Sequence, residues 1–132
     1  MQVAEKKRFL KNERLTLRND IERLFEKGQT FMAYPLRIVY VSGIAQDAAV
    51  SGMSVLVGVP KKRIRHATAR NRIKRLIREA YRLNKGDLPH VCRQSGKYVH
   101  VAFMYIGNEV CTYADVEKGV KKALHHLRQK ET

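Results

Sequence analysis

The stretch Arg70-Asn-Arg-Ile-Lys-Arg-Leu-Ile-Arg-Glu-Ala-Tyr-Arg82 carries apolar residues at Ile73, Leu76, Ile77, Ala80 and Tyr81. Those positions share one side of a 3.6-residue period, so the spacing predicts an amphipathic helix over roughly Ala69–Leu83 with its stripe turned to a core. At 100° per residue, Asn71, Arg75, Arg78 and Arg82 line up on the opposite side, flanked by Arg72 and Lys74. One face anchors the helix and the other is a cationic ridge. Arg outnumbers Lys along it, which suits bidentate contact with phosphates and stacking on bases.

Moving outward, Pro60-Lys-Lys-Arg-Ile-Arg-His66 forms a basic lead-in to the helix, whose exposed N–H groups add to anion binding there. Lys61 to Arg82 holds ten basic residues and one acid, Glu79, so this segment supplies +9 of the chain's net charge of +15. Whole-chain totals are 27 Lys plus Arg against 12 Asp plus Glu in 132 residues. A charge excess of this size repels itself and is best explained by a polyanionic partner, with nucleic acid first and an anionic membrane surface second. A solvated helix face would mix signs at i,i+4, whereas Arg78 and Arg82 repeat the same sign. A membrane-surface helix would need its apolar stripe outside, and here the core takes it.

At 44% hydrophobic the chain can bury a core, and its length fits a single domain over residues 1–132, with residues 1–14 expected as a disordered basic arm. No apolar run reaches transmembrane length, and the N-terminus does not read as a secretory signal. Cys92 and Cys111 make neither a disulfide framework nor a metal pair, so a cytoplasmic protein with reduced thiols is expected.

Leu17, Ile21, Leu24 and Phe25 recur at helical spacing, with Thr16 or Asn19 as cap and Gly28 as the terminating glycine. Leu36–Val41 reads as a strand with Pro35 at its mouth, and Met53–Val59 as another. Gly43–Gly52 between them reads as a flexible hairpin connection, and Asn84–Lys97 as a loop. Tyr98–Ile106 is apolar on both faces over much of its length, which predicts a central strand. A last helix spans Tyr113–Gln129, with Thr112 and Asp115 as a capping box and Val116, Val120, Ala123, Leu124 and Leu127 as its buried stripe. Helix, strands, helix, strand, helix is the order of an α/β or α+β sandwich.

Protein-borne phosphodiester cleavage would need converging carboxylates. The four Asp and eight Glu are scattered: Asp20 and Glu22 point to different helix faces, as do His125 and His126, and His66 has no evident partner. No catalytic residue, metal ligand or cofactor of the protein itself is predicted.

The run Arg70–Arg82, preceded by Val57-Gly-Val-Pro-Lys-Lys62, resembles the signature of the bacterial ribonuclease P protein component, which the triplet Arg70-Asn71-Arg72 opens. The helix ending in Leu24-Phe25-Glu-Lys-Gly28, the strand Leu36–Val41 and the closing helix fall in the family's order, so the resemblance covers about Leu15 to Arg128. It implies an α+β two-layer sandwich in the order helix–three strands–helix–strand–helix. The mixed four-stranded sheet would have a left-handed strand–helix–strand crossover, as in the second domain of a small-subunit ribosomal protein. General chain chirality favours the right-handed form, so that hand rests on resemblance alone.

The resemblance also implies a role. The partner RNA cleaves precursor tRNA to give the mature 5′ end, with Mg2+ at the RNA's active site and a single protein copy per RNA. The protein binds that RNA and the substrate's 5′ leader. Arg70, Asn71, Arg72, Lys74, Arg75 and Arg78 match the RNA-contacting helix, and Lys61, Lys62, Arg63 and Arg65 its basic lead-in. The leader cleft lies between the first helix and the sheet. Phe25 matches its helix aromatic, Ile21 stands where many relatives have Phe, and Tyr40 is the candidate aromatic on the sheet. Sulfate or phosphate is expected to bind the basic face. A ribosomal or chaperone-type RNA-binding protein and a free-standing nuclease are the other readings.

Overall fold

The computed structural model describes residues 13–46 and 51–131. Among these residues the elements are α1 (Arg18–Lys27), β1 (Gln29–Ala33), β2 (Leu36–Ile44), β3 (Gly52–Gly58), α2 (Ala67–Asn84), α3 (Leu88–Gln94), β4 (Lys97–Tyr105) and α4 (Tyr113–Glu131). The strands form one mixed sheet in the order β1-β2-β4-β3. β2 runs antiparallel to β1 and β4, and β3 runs parallel to β4.

β4 is paired along both edges, as its two-sided apolar sequence predicts. Val99, Val101, Phe103 and Tyr105 join the main core with Ile73, Ile77, Ala80 and Tyr81 of α2 and the Val116–Leu127 stripe of α4. Ala102 faces the other way, into a smaller core with Leu15, Leu24 and Val39 beneath α1. Each fully buried aliphatic or aromatic side chain contributes roughly 1.5–3 kcal/mol, so the larger layer supplies most of the apolar stabilisation. α2 has no internal Gly or Pro, and it stops where Gly86, just past the C-cap Lys85, takes φ +56, a conformation that L side chains rarely adopt. At α4, Asp115 donates its backbone N–H to Thr112 Oγ1 at 3.3 Å, the expected cap.

Several expectations are corrected. β2 and β3 are not a hairpin, because β4 lies between them, inserted by the parallel crossover through α2 and α3. Residues 47–50 of the expected hairpin connection lie outside the described residues. The Asn84–Lys97 loop contains a seven-residue helix, α3, whose Leu88, Pro89 and Cys92 are buried. Pro89 fits there because the first helical turn needs no N–H from it. The implied order helix–three strands–helix–strand–helix therefore gains one helix.

α1 starts at Leu17 with no side-chain cap, so neither Thr16 nor Asn19 serves. Gly28 ends α1 in extended backbone at φ −72; its requirement is space, since a Cβ would lie 2.3 Å from the Leu24 carbonyl oxygen and 2.8 Å from Val39 Cγ1. Of the expected arm, residues 1–12 lie outside the described residues, but Glu13 is buried and Arg14 bridges to Val55 of β3.

Candidate nucleic-acid interface

The lead-in to α2 is fixed before it is charged. Ile64 is buried, and the Arg63 and Ile64 N–H groups both donate to the Pro60 carbonyl, at 3.1 and 3.2 Å. Arg70 Nη1 then reaches back to the carbonyls of Ile64 at 3.0 Å and Arg65 at 2.7 Å. The first arginine of the triplet thus staples the lead-in onto the helix. Arg63 donates to Asn108 Oδ1 at 3.2 Å, tying the same segment to the chain after β4. The first turn of α2 holds no acid, so its N-terminal dipole adds to the positive field.

Lys61, Lys62, Arg65, Asn71, Arg72 and Arg75 are exposed; Lys74, Arg78 and Arg82 are half-buried. Arg82 is paired with Glu79 through Nη2–Oε2 at 2.6 Å and Nε–Oε1 at 3.1 Å. That hydrogen-bonded pair holds the Glu79 carboxyl below its ordinary range. The ridge is therefore strongly cationic over its first two turns and neutralised at its last. Burial, followed by the neighbouring charge of Arg14, lowers the Arg78 pKa. Asn71, Arg72 and Arg75 face outward as the helical spacing predicts, whereas Arg14 stands at the sheet edge, a position with no local pattern in the sequence.

On the opposite sheet face, α1 covers the smaller core and leaves Val41, Tyr98 and His100 partly exposed, the strip where the leader cleft is expected. Leu24 is buried against the sheet, Ile21 packs half-buried beside it, and Phe25 one turn on is 44% exposed. Tyr40 is not in this cleft. It is buried on the α4 side, with Oη donating to Gln29 Oε1 at 2.8 Å and its ring edge-on to Phe31 and His126. Val39 and Val41 take the cleft-side positions, because Ile38–Val41 is apolar at every residue and alternation could not set the register.

The aromatic side chains that sequence reasoning missed on this face are Tyr98 and His100 of β4, with ring centroids 4.9 Å apart. His100 Nδ1 is buried with no hydrogen-bond partner among the described residues. Burial lowers the His100 pKa, with the nearby Asp20 raising it and Arg23 lowering it. Arg37 shares the face by alternation with Val39.

Elsewhere, a groove of about 1090 Å³ between the β1–β2 turn and the start of α4 balances Glu109 and Asp115 against Lys118 and Lys122. It holds none of the predicted site residues. Among the described residues no group of three or more His, Cys, Asp or Glu gathers to hold a metal ion, and no helix is long and apolar enough to cross a membrane.

A basic ridge on one sheet face and a partly aromatic cleft on the other define a class of small α+β proteins built to meet a polyanion. The chain belongs to the Ribonuclease P protein family, whose sequence model matches residues 9–128. It is 47% identical over 114 residues to the ribonuclease P protein component of Porphyromonas gingivalis (strain ATCC 33277), covering 86% of this chain and 82% of that one. The Chlorobium phaeobacteroides component is 31% identical over 129 residues, covering 92% and 88%.

In fold it is similar to the Staphylococcus aureus RNase P protein, with TM-score 0.63, 20% identity and coverage of 88% and 95%. The Thermotoga maritima RNase P protein gives TM-score 0.62, 24% identity and coverage of 86% and 96%. Membership makes the chain a tRNA-processing subunit of a ribonucleoprotein that acts as an endoribonuclease. The reading as a ribosomal or chaperone-type binder is set aside.

Proposed function

We propose that the ridge of α2 docks this protein on the catalytic RNA of ribonuclease P and that the cleft beneath α1 receives the 5′ leader of precursor tRNA. The observation that carries the reading is the exposed set Lys61, Lys62, Arg65, Asn71, Arg72 and Arg75, held by a helix whose Ile73, Ile77 and Tyr81 are fully buried. Core packing fixes the helix backbone in advance, so meeting phosphates orders the side chains alone. Arg63 and Arg70 support the lead-in from within, and half-buried Arg78 continues the ridge that Lys74 flanks.

In the cleft, exposed Phe25 and half-buried Tyr98 offer faces on which bases stack without sequence readout, while Arg23, Lys27 and Arg37 supply charge for the backbone. Ile21 packs half-buried against the small core on the same side. Cleavage chemistry and its Mg2+ are assigned to the RNA, one protein copy assisting each RNA, in the cytoplasm. The protein's described residues place no carboxylate cluster where a cation would be held.

Reconstitution with the RNA subunit tests this directly. Adding protein is expected to promote leader removal at low magnesium and to make the complex prefer precursor tRNA over mature tRNA. Cleavage and preference unchanged by the protein would refute the reading.

A further inference from the structure

Residues 13–15 run along the free edge of β3, beside the second half of α2. Arg14 bridges Val55 in the parallel sense, and Leu15 donates its N–H to the Val55 carbonyl at 2.9 Å. Leu15 is buried on the α1 side, so alternation turns exposed Arg14 toward the face that carries α2.

Glu13 fixes the segment from its other end. Lys85 Nζ lies 2.8 Å from both Glu13 carboxylate oxygens, and Tyr81 Oη donates to Oε1 at 3.3 Å. Both members of the ion pair are almost wholly removed from solvent. Arg78, Tyr81 and Lys85 lie three and four residues apart on one side of the helix. With Glu13 seated on Tyr81 and Lys85, the next residue, Arg14, lies beside the side of α2 that carries Arg78, and its charge acts on that guanidinium.

Resting on the reading that α2 docks on RNA, we propose that Arg14 and Arg78 form a two-guanidinium clamp for one backbone phosphate of the RNA subunit, with Glu13–Lys85 as its positioning pair. A phosphodiester that accepts from both guanidinium groups forms paired charge-assisted hydrogen bonds, stronger than those of a single cation. The clamp extends the contact surface from the helix onto the sheet edge.

Binding to the RNA subunit is measured across a salt series for the parent, Arg14→Ala, Arg14→Lys, Arg78→Ala, the Arg14→Ala/Arg78→Ala double variant, and Arg75→Ala as a ridge reference. Arg14→Ala is expected to weaken binding roughly tenfold and to make the salt slope shallower by about one, with Arg14→Lys intermediate. The double variant is expected to lose less than the product of the single losses, because both side chains serve one phosphate.

Glu13→Gln is expected to weaken binding in the parent and to add nothing in the Arg14→Ala background, a pattern that a purely structural role would not give. Full affinity for Arg14→Ala beside a weakened Arg75→Ala would overturn the clamp and leave the ridge standing, whereas full affinity for both would overturn the docking reading itself. A loss confined to precursor-tRNA binding by the assembled ribonucleoprotein, with assembly unchanged, would also overturn the clamp.

Discussion

At the scale of single residues, the fold depends on a few polar groups with very different surroundings. Glu13 and Lys85 bury opposite charges that stabilise each other only while both are present. Lys85→Met is therefore expected to cost about 3–5 kcal/mol in denaturant unfolding, since the carboxylate remains buried without its cation. A loss under about 1 kcal/mol would show that solvent reaches the site. Tyr81 belongs to the same cluster: burial first, then the charge of Glu13, raises its pKa well above the ordinary phenol value.

His100 works in the opposite direction. Its folded pKa lies below the ordinary value of 6.5, so the folded state holds the neutral ring while the unfolded chain takes up a proton as pH falls. The stabilisation is complete above that value and is lost as pH falls through the folded pKa. Melting temperatures from about pH 7.5 to about pH 5 should drop more for the parent than for His100→Gln. Equal drops would contradict the assignment.

At the scale of elements, the proposed function divides the work between α2 and the face beneath α1. Phe25→Ala and Tyr98→Ala should each weaken leader-dependent binding of precursor tRNA by about 1–3 kcal/mol, leaving affinity for the RNA subunit unchanged. Loss of RNA-subunit affinity, or no loss of leader affinity, would show that the two faces are wrongly assigned.

How much of this was legible follows from the kind of signal each element carries. α2, α4 and β4 were readable because their patterns are long: Ile73, Ile77 and Tyr81 repeat at helical spacing, and β4 is apolar on both faces. β1 and α3 carry five and seven residues, too few for a period to show, and β1 came only from family order. Placing β4 between β2 and β3 is a tertiary fact with no local pattern. Of the aromatics on that face, Phe25 came from the family match, since helical spacing alone set it in the apolar stripe of α1. Tyr40 was misplaced because a run of apolar residues hides which face each takes, and Tyr98 and His100 needed the register to be seen. Arg14 looked like part of a loose arm because its anchor, the Glu13–Lys85 pair, spans 72 positions in sequence.

At the scale of the whole molecule, +15 of net charge works against compaction until a polyanion offsets it. Anions that bind the folded state should stabilise it by mass action, about 2.7 kcal/mol at one hundred times the dissociation constant. Sulfate or phosphate is accordingly expected to raise the melting temperature more than sodium chloride of equal ionic strength; an identical rise would reduce the effect to general screening. The same physics sets the most direct test of the central claim, that the outward face of α2 grips RNA through phosphate contacts. Affinity for the RNA subunit is measured against salt for the parent and for the Arg72→Ala/Arg75→Ala double variant, in which both replaced side chains are exposed. The account predicts uniformly weaker binding and a log–log slope shallower by about two, one for each lost contact. The parent's affinity and slope retained in the double variant would contradict it.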